Sequence, residues 1–425
     1  MQGLKKILIL YPHFPPSNLA GVHRPRLFAQ HLPDFGWEPL ILTVDEKFYE
    51  EKLDHNLVTL LPKSLRIEKV NAFNRKGPLG DIGLRGFFQL YKKTKWLIRK
   101  EKFDFLYIPI PSFYCALLGR WLNHSTGIKY GIDYIDPWVH DFPGSNKKFS
   151  RHWFSSKLAK ILEPVAVKNA SLITGVAEGY YEPVLERNPH LKKIVTGAMP
   201  YGGEKEDHAA VEKLNLKPYL FKEKKDKLIF VYAGAMLPKA YQPLEEIFKA
   251  IQGNIEQYTS IEFHFIGTGK SPNDHNGYNI KALAEQYGLW HTLVFEYPAR
   301  IPYLDVLIHL NIADAVFVLG STEPHYTPSK VYQAVLAGKA VLAVLHEDST
   351  AVKVIESSHA GIVLSFNGEA ELTKIGIEFN DKFSEFILFH QNFDNNNLDQ
   401  SSFEKYSAKF VTKQLAALLD KAIVF

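Results

Sequence analysis

The stretch "TPSKVYQAVLAGKAVLAVL", residues 327–345, brings together residue types that suit chemistry on an anion. Thr327 is a good N-cap, and Pro328 fits a first helical position, where its missing N–H costs nothing. The pattern predicts a helix over 328–337, closed by Gly338 and followed by a strand. The N–H groups of Ser329, Lys330 and Val331 would point out of the helix start, and Lys330 would add a full positive charge. Gln333 would follow on the same face, roughly 5–6 Å away, where a ribose attached to a bound phosphate would lie. The plain alternative is an ordinary capped helix with an exposed lysine.

The elements around this stretch form an alternating series. Strand-like runs "KILILY", "PLILTV", "FDFLYIP", "KYGIDYI" and "SLITGV" occupy the first half. "LIFVYAG", "EFHFIGTG", "TLVFEYP", "AVFVLGS", "AVLAVL" and "GIVLSF" occupy the second. Apolar runs separated by helix-type segments indicate parallel sheets covered on both faces. The expected fold is α/β, with two doubly wound Rossmann-like domains facing across a cleft. Several strands end in glycine or proline, which is where open α/β sheets bind ligands. With 425 residues, two domains are the natural division. The Gly-, Pro- and charge-rich stretch 199–227 marks the break. The reading is an N-terminal domain over 1–200, a second over 201–400, and a C-terminal helix over 401–425 packing back towards the first.

Composition removes several classes. A formal charge of +4 is too small to mark the whole chain as a nucleic-acid binder. Residues 1–130 hold 20 Lys+Arg against 11 Asp+Glu, a surplus of 9, so the remainder is net acidic (4 − 9 = −5). The one cysteine, Cys115, excludes an internal disulfide and a multi-cysteine zinc site. The 17 histidines show no metal-type spacing, and no Asp-x-Asp suggests a metal-held diphosphate. "GTGK" (Gly267, Gly269) lacks the third glycine of a dinucleotide fingerprint, since Pro272 stands there. The apolar run Ile7–Tyr11 is too short for a signal peptide, and no run reaches a membrane span. A cytoplasmic protein is expected. The basic, aromatic stretch 85–102 reads plainly as a helix with a solvated basic face. Its sharper reading is peripheral contact with an anionic membrane at the inner face.

"PSKVYQAVLAGKAVL" resembles the donor-binding segment of retaining GT-B glycosyltransferases of the family-4 kind (glycosyl transferase group 1 type), usually Pro-Ser-Lys, two hydrophobics, Glu, small residues and Gly-Lys-Pro-Val. "YPHFPPSNLAGVHRPRLFAQHLPDFGWEPLILT" resembles the opening of those enzymes. "DYIDPW" resembles their Asp-x-Arg-Asp-x-Trp region, and "FVYAGAMLPKAYQPLEEIFKAI" and "FHFIGTGK" resemble the first two strand-loop units of the donor domain. The resemblance spans nearly the whole chain. It departs at Gln333 (usually Glu), at His325 (usually Glu, with Glu323 two residues away) and at Gly234-Ala235-Met236 (usually Gly-Arg-Leu), while Lys239 is kept.

The resemblance implies sugar transfer from a nucleotide-diphosphate sugar, with retention and without a metal or other cofactor, onto a polysaccharide, lipopolysaccharide-type or lipid-linked acceptor. It implies leaving-group stabilisation by Lys239 and Lys330, with Asp136 beneath the sugar or acceptor hydroxyl. It assigns donor contacts to Gly21, Arg24, Arg26, Gly234, Gly267, Gly269, Glu323, His325, Pro328, Ser329 and Gln333. Two alternatives share the architecture: a nucleotide-sugar 2-epimerase, and a degenerate non-catalytic nucleotide-sugar-binding protein.

Overall fold

The computed structural model describes residues 3–424, except 76–79, 140–147, 270, 272, 325 and 327 and the side chains of 151 and 152. Thr327, His325 and Pro272 therefore lie outside the described residues. The chain divides into two compact units. One runs to Tyr201 and takes in the segment from Ala408 onward; the other is Gly202–Ser407.

The first unit is built on a seven-stranded parallel sheet. Its strands are β1 (Lys5–Leu10), β2 (Trp37–Val44), β3 (Arg66–Val70), β4 (Phe105–Ile110), β5 (Tyr130–Tyr134), β6 (Leu172–Gly175) and β7 (Val195–Ala198). Their order is β3-β2-β1-β4-β5-β6-β7, so the winding reverses between β1 and β4. Side chains alternate across a strand. Leu8 and Leu10 accordingly join one core layer, and Ile7 and Ile9 the other. That is why β1 reads as an unbroken apolar run.

The second unit carries a six-stranded parallel sheet of β8 (Leu228–Ala233), β9 (Ile261–Ile266), β10 (Val294–Tyr297), β11 (Ala315–Leu319), β12 (Ala340–His346) and β13 (Gly361–Phe366). The order β10-β9-β8-β11-β12-β13 reverses between β8 and β11.

Every strand-like run seen in the sequence is a strand here. Two further strands, β3 and β7, had no such run. Both lie at sheet edges and are partly exposed, so neither needs a continuous apolar stretch. The helix expected over 401–425 is two. Gln400–Glu404 belongs to the second unit, and Ala408–Val424 packs on the His23–His31 helix of the first. Val411, Leu415, Leu419 and Ala422 recur at helical spacing and are buried beside Phe28 and Trp37. Asp420 locks the end of this helix by accepting from Trp37 Nε1 (3.0 Å) and Lys5 Nζ (2.7 Å).

Because Leu415 is fully buried, Leu415→Ala is expected to cost about 2–5 kcal/mol in urea unfolding. A loss below about 1 kcal/mol would mean that this helix is not docked in solution.

Candidate functional site

In the second unit the predicted residues gather at the carboxyl ends of β8 and β11, the winding reversal where open α/β sheets take ligands. The helix here is Lys330–Leu336, two residues later at its start than the sequence predicted. Pro328 and Ser329 precede it, and the Val331 N–H is taken by the Pro328 carbonyl (3.1 Å) rather than pointing outward. At seven residues the helix also has a short dipole. Positive charge at this place rests on Lys330.

The Lys330 stem packs across Gly234, whose φ of +135° suits only glycine and where an added Cβ would come within 2.2 Å of Lys330 Cε. Its ammonium donates to Tyr232 Oη (2.6 Å) and lies 3.8 Å from the centre of the Tyr232 ring. Tyr232 in turn donates to the Ala235 carbonyl (3.0 Å). Burial keeps the Tyr232 hydroxyl neutral by raising it well above its usual range. No carboxylate among the described residues pairs with Lys330, and burial pushes its ammonium down to about 7. A cation held this way gains most from an incoming anion.

Lys239, in the turn before the Tyr241–Gly253 helix, is differently placed. It meets Glu323 at 3.4 Å, both half-exposed, and its carbonyl accepts from the Thr322 N–H (3.1 Å). These contacts tie the loop after β8 to the loop after β11. An exposed pair of this kind is weak and opens readily to a ligand. Gln333 accepts from His208 Nε2–H (2.9 Å), leaving its amide N–H groups as donors.

Gly267 and Gly269 follow β9. The Gly269 N–H donates to the Pro298 carbonyl (2.9 Å), and an added Cβ would come within 2.5 Å of that oxygen. Packing against the neighbouring loop therefore explains Gly269. Glu296 holds this loop by accepting from Thr268 Oγ1 (2.7 Å) and from the N–H groups of Asn279, Ile280 and Lys281.

In the first unit, Gly21 lies against Tyr11, whose hydroxyl would be 2.2 Å from an added Cβ. Arg24 is fully buried, not placed at a ligand surface. It donates to Asp133 through Nε (2.5 Å) and Nη2 (3.0 Å), and to the carbonyls of Met199 (2.8 Å) and Pro200 (2.9 Å). Thr174 Oγ1 adds a bond to Asp133 (2.8 Å). Four of its five N–H groups are used within the unit, so the structure places Arg24 in a buried ion pair rather than at the diphosphate position the resemblance implied. Arg26 is also fully buried. Asp136 is exposed at the end of β5. Its charge adds to burial in raising the hydroxyls of Tyr11 and Tyr201.

The sequence reading missed a polar group at the reversal between β1 and β4. His13 Nδ1–H donates to Glu51 (2.8 Å), and Ser17 Oγ donates to the same oxygen. Burial alone would raise the Glu51 carboxyl; these bonds overcome it and hold the group at about 2. Asp81 lies nearby, its carboxyl pushed up by burial, accepting from the Leu84 N–H (2.7 Å) and Ser112 Oγ (3.3 Å). His13 lies three residues past the end of β1, in a strand-end loop that the sequence showed. Its partners are 38 and 68 residues away and could not be paired from spacing.

The sequence matches no protein-family model and no curated protein sequence. In fold the chain is similar to a glycosyltransferase from Rickettsia africae ESF-5, with 15% identity, a TM-score of 0.62 and 99% of this chain and 98% of that one covered. It is similar to Anabaena Alr3699/HepE in complex with UDP and glucose, at 16% identity and TM-score 0.61 over 98% and 99% of the two chains. It is also similar to sucrose-phosphate synthase from Thermosynechococcus elongatus, at 14% identity and TM-score 0.61 over 97% and 98%. At these identities the likeness shows a shared fold: two Rossmann-like α/β units, as in known glycosyltransferases.

The buried Arg24–Asp133 pair gives a direct test of the role of Arg24. Arg24→Met strands a buried carboxylate and is expected to cost about 3–5 kcal/mol in urea unfolding. Adding Asp133→Asn should restore much of that loss. Weaker nucleotide binding at unchanged stability would return Arg24 to a ligand role.

Proposed function

We propose that the chain is a glycosyltransferase that uses a nucleotide-diphosphate sugar. The observation that carries this reading is Lys330, a desolvated ammonium without a carboxylate partner among the described residues, beside Gly234 at the β8/β11 reversal. The likeness of fold to HepE, which was solved with UDP and glucose, supports the same class of donor.

In the reaction, the bond from the anomeric carbon to the diphosphate oxygen breaks, and an acceptor oxygen bonds to that carbon. The acceptor proton passes to the departing diphosphate. Negative charge grows on the diphosphate as the sugar becomes oxocarbenium-like, and a cation already desolvated stabilises that growth without reorganising. Lys330 supplies that charge, and Lys239 joins it on leaving Glu323. The Gln333 amide donates to a ribose hydroxyl. The polar group around His13 and Glu51 offers the first unit's own site for a hydroxyl-bearing acceptor of the polysaccharide, lipopolysaccharide or lipid-linked kind. Following the family resemblance, we take the transfer to proceed with retention, without a metal, at the cytoplasmic side of a membrane.

A thermal-shift panel of UDP, GDP, ADP and their sugars tests the reading. A ligand at a hundred times its Kd stabilises by about 2.7 kcal/mol. One nucleotide is expected to respond equally in EDTA and in Mg²⁺, and Lys330→Met should abolish the response. No response from any nucleotide would overturn the proposal and leave a degenerate scaffold. With acceptor present, proton NMR of the first-formed anomer should show retention. Free epimerised sugar without acceptor would point instead to an epimerase.

Lys330 also sets a pH dependence. Its folded value of about 7 lies below the unfolded lysine value of roughly 10.4. Between these values the folded chain binds fewer protons than the unfolded chain, so the contribution of Lys330 to stability rises with pH across that window. A bound diphosphate restores the charge. Calorimetry in two buffers of different ionisation enthalpy should therefore show about one proton taken up per nucleotide near pH ~8.5 and almost none near pH ~6. Uptake in the native chain that does not fall between pH ~8.5 and pH ~6 would assign the proton to another group.

A further inference from the structure

The helices Phe87–Glu101, Ala116–Thr126 and Arg151–Val167 all contribute to one core layer on one face of the first unit's sheet, and each packs on the next. Their outer faces are unusual in two ways.

The first is apolar exposure. On Arg151–Val167, Phe154, Leu158, Ile161 and Val165 recur at i, i+4, i+7 and i+11 and all face out, Ile161 with 66% of its surface exposed. The same helix turns the smaller Ala159, Ala166 and Val167 inward. Its larger apolar stripe is thus the outer one, the reverse of a helix that only covers a core. Phe149, just before this helix, is 78% exposed and holds a φ of +64°, a left-handed conformation that is costly for an aromatic residue. On the neighbouring helices Phe88, Trp96 and Trp121 are exposed, and Trp121 sits edge-on to Phe87 at 5.1 Å.

The second is charge. Lys92, Arg99 and Lys100 on the first helix and Lys157 and Lys160 on the third are exposed. The three helices contain only two carboxylates. Glu101 is held by Arg66 (2.6 and 2.9 Å), and the buried Glu163 by Arg187 (2.9 and 3.0 Å). Lys93 is spent on Glu68 (2.8 Å), so the exposed cations come from the first and third helices and not from 85–102 alone.

We propose that this helix layer docks on the surface of an anionic lipid bilayer, with the Arg151–Val167 stripe entering the interfacial region. Aromatic and branched side chains beside lysines, with no free carboxylate on these helices, complement acyl chains and anionic headgroups together. A second copy fits less well, since a two-fold contact would set cations against cations. No described helix is long and apolar enough to cross a membrane. The inference does not depend on the nucleotide-sugar reading, because its test measures binding and not turnover.

The test is flotation of the full chain with phosphatidylcholine vesicles and with vesicles that also contain phosphatidylglycerol. Flotation is expected with the anionic vesicles, falling as salt is raised. Lys157→Glu with Lys160→Glu should lower partitioning about tenfold or more. Phe154→Ser with Ile161→Ser should lower it on the same vesicles without changing the melting temperature, because both side chains are already exposed. Failure to float, or flotation that survives both double variants, would overturn the proposal. A concentration-dependent dimer in sedimentation, abolished by Ile161→Ser, would assign the face to a second copy and overturn it equally.

Discussion

The second unit is arranged around a cation that has no counter-charge among the described residues. Lys330 has a phenol and an aromatic face for company, and burial already strips its ammonium of much of its preference for the charged form. Such a residue is a poor contributor to stability, since a charge drawn out of water without a partner costs more than an apolar side chain of the same length. Other features follow from accommodating it. Position 234 must be glycine so that the stem can cross the chain there, and Tyr232 must offer both ring and hydroxyl. The turn after Ala233 must also bring the Ala235 carbonyl within reach of that hydroxyl. A desolvated cation at a winding reversal is the kind of perturbed group that clusters at ligand sites.

The first unit handles the same kind of charge in the opposite way. Arg24 is as deeply buried as any side chain in the molecule, yet its planar fork is filled by the Asp133 carboxylate and two carbonyls. It ties the first helix to β5 and to the segment leaving β7. A bidentate guanidinium pair suits a fixed joint; a single flexible ammonium suits a site that must accept and release an anion. Among the described residues of this unit, His13, Glu51 and Asp81 gather at its own winding reversal, and Asp136 is exposed at the end of β5.

Much of this was legible in the sequence, for physical reasons that also show where legibility stops. Central strands such as β1, β8 and β12 are covered on both faces and must be apolar throughout, so they announce themselves. The edge strands β3 and β7 carry no such demand, and "RIEKV" and "VTGA" passed as loop. Gly234 and Lys239 were singled out by the family resemblance and not by spacing alone, and the structure places them with Lys330 in the segments after β8 and β11. Arg24 was misread because an arginine near a helix start looks alike whether it meets a ligand or a buried aspartate 109 residues away. The pairing of Gln333 with His208, across 125 residues, was invisible for the same reason. The helix start moved from 328 to 330 because a cap and a proline set a boundary only to within a residue or two.

The departures from the family pattern fit together once the charges are placed. Relative to the glycosyltransferases that the chain resembles, a cation is lost at Ala235 and a carboxylate is lost at Gln333. With His325 standing where the pattern usually has a third charge, a glutamate, one cation and two carboxylates are lost in all, and the net charge at these positions rises by one (−1 + 2 = +1). They also depend on one another. Positions 330 and 333 share a helix face, and a carboxylate at 333 would pair with an already desolvated Lys330 and quench the one strong cation left. A neutral amide avoids that, and the His208 Nε2–H bond to its oxygen turns its donors outward while leaving the imidazole uncharged, as burial of His208 already favours.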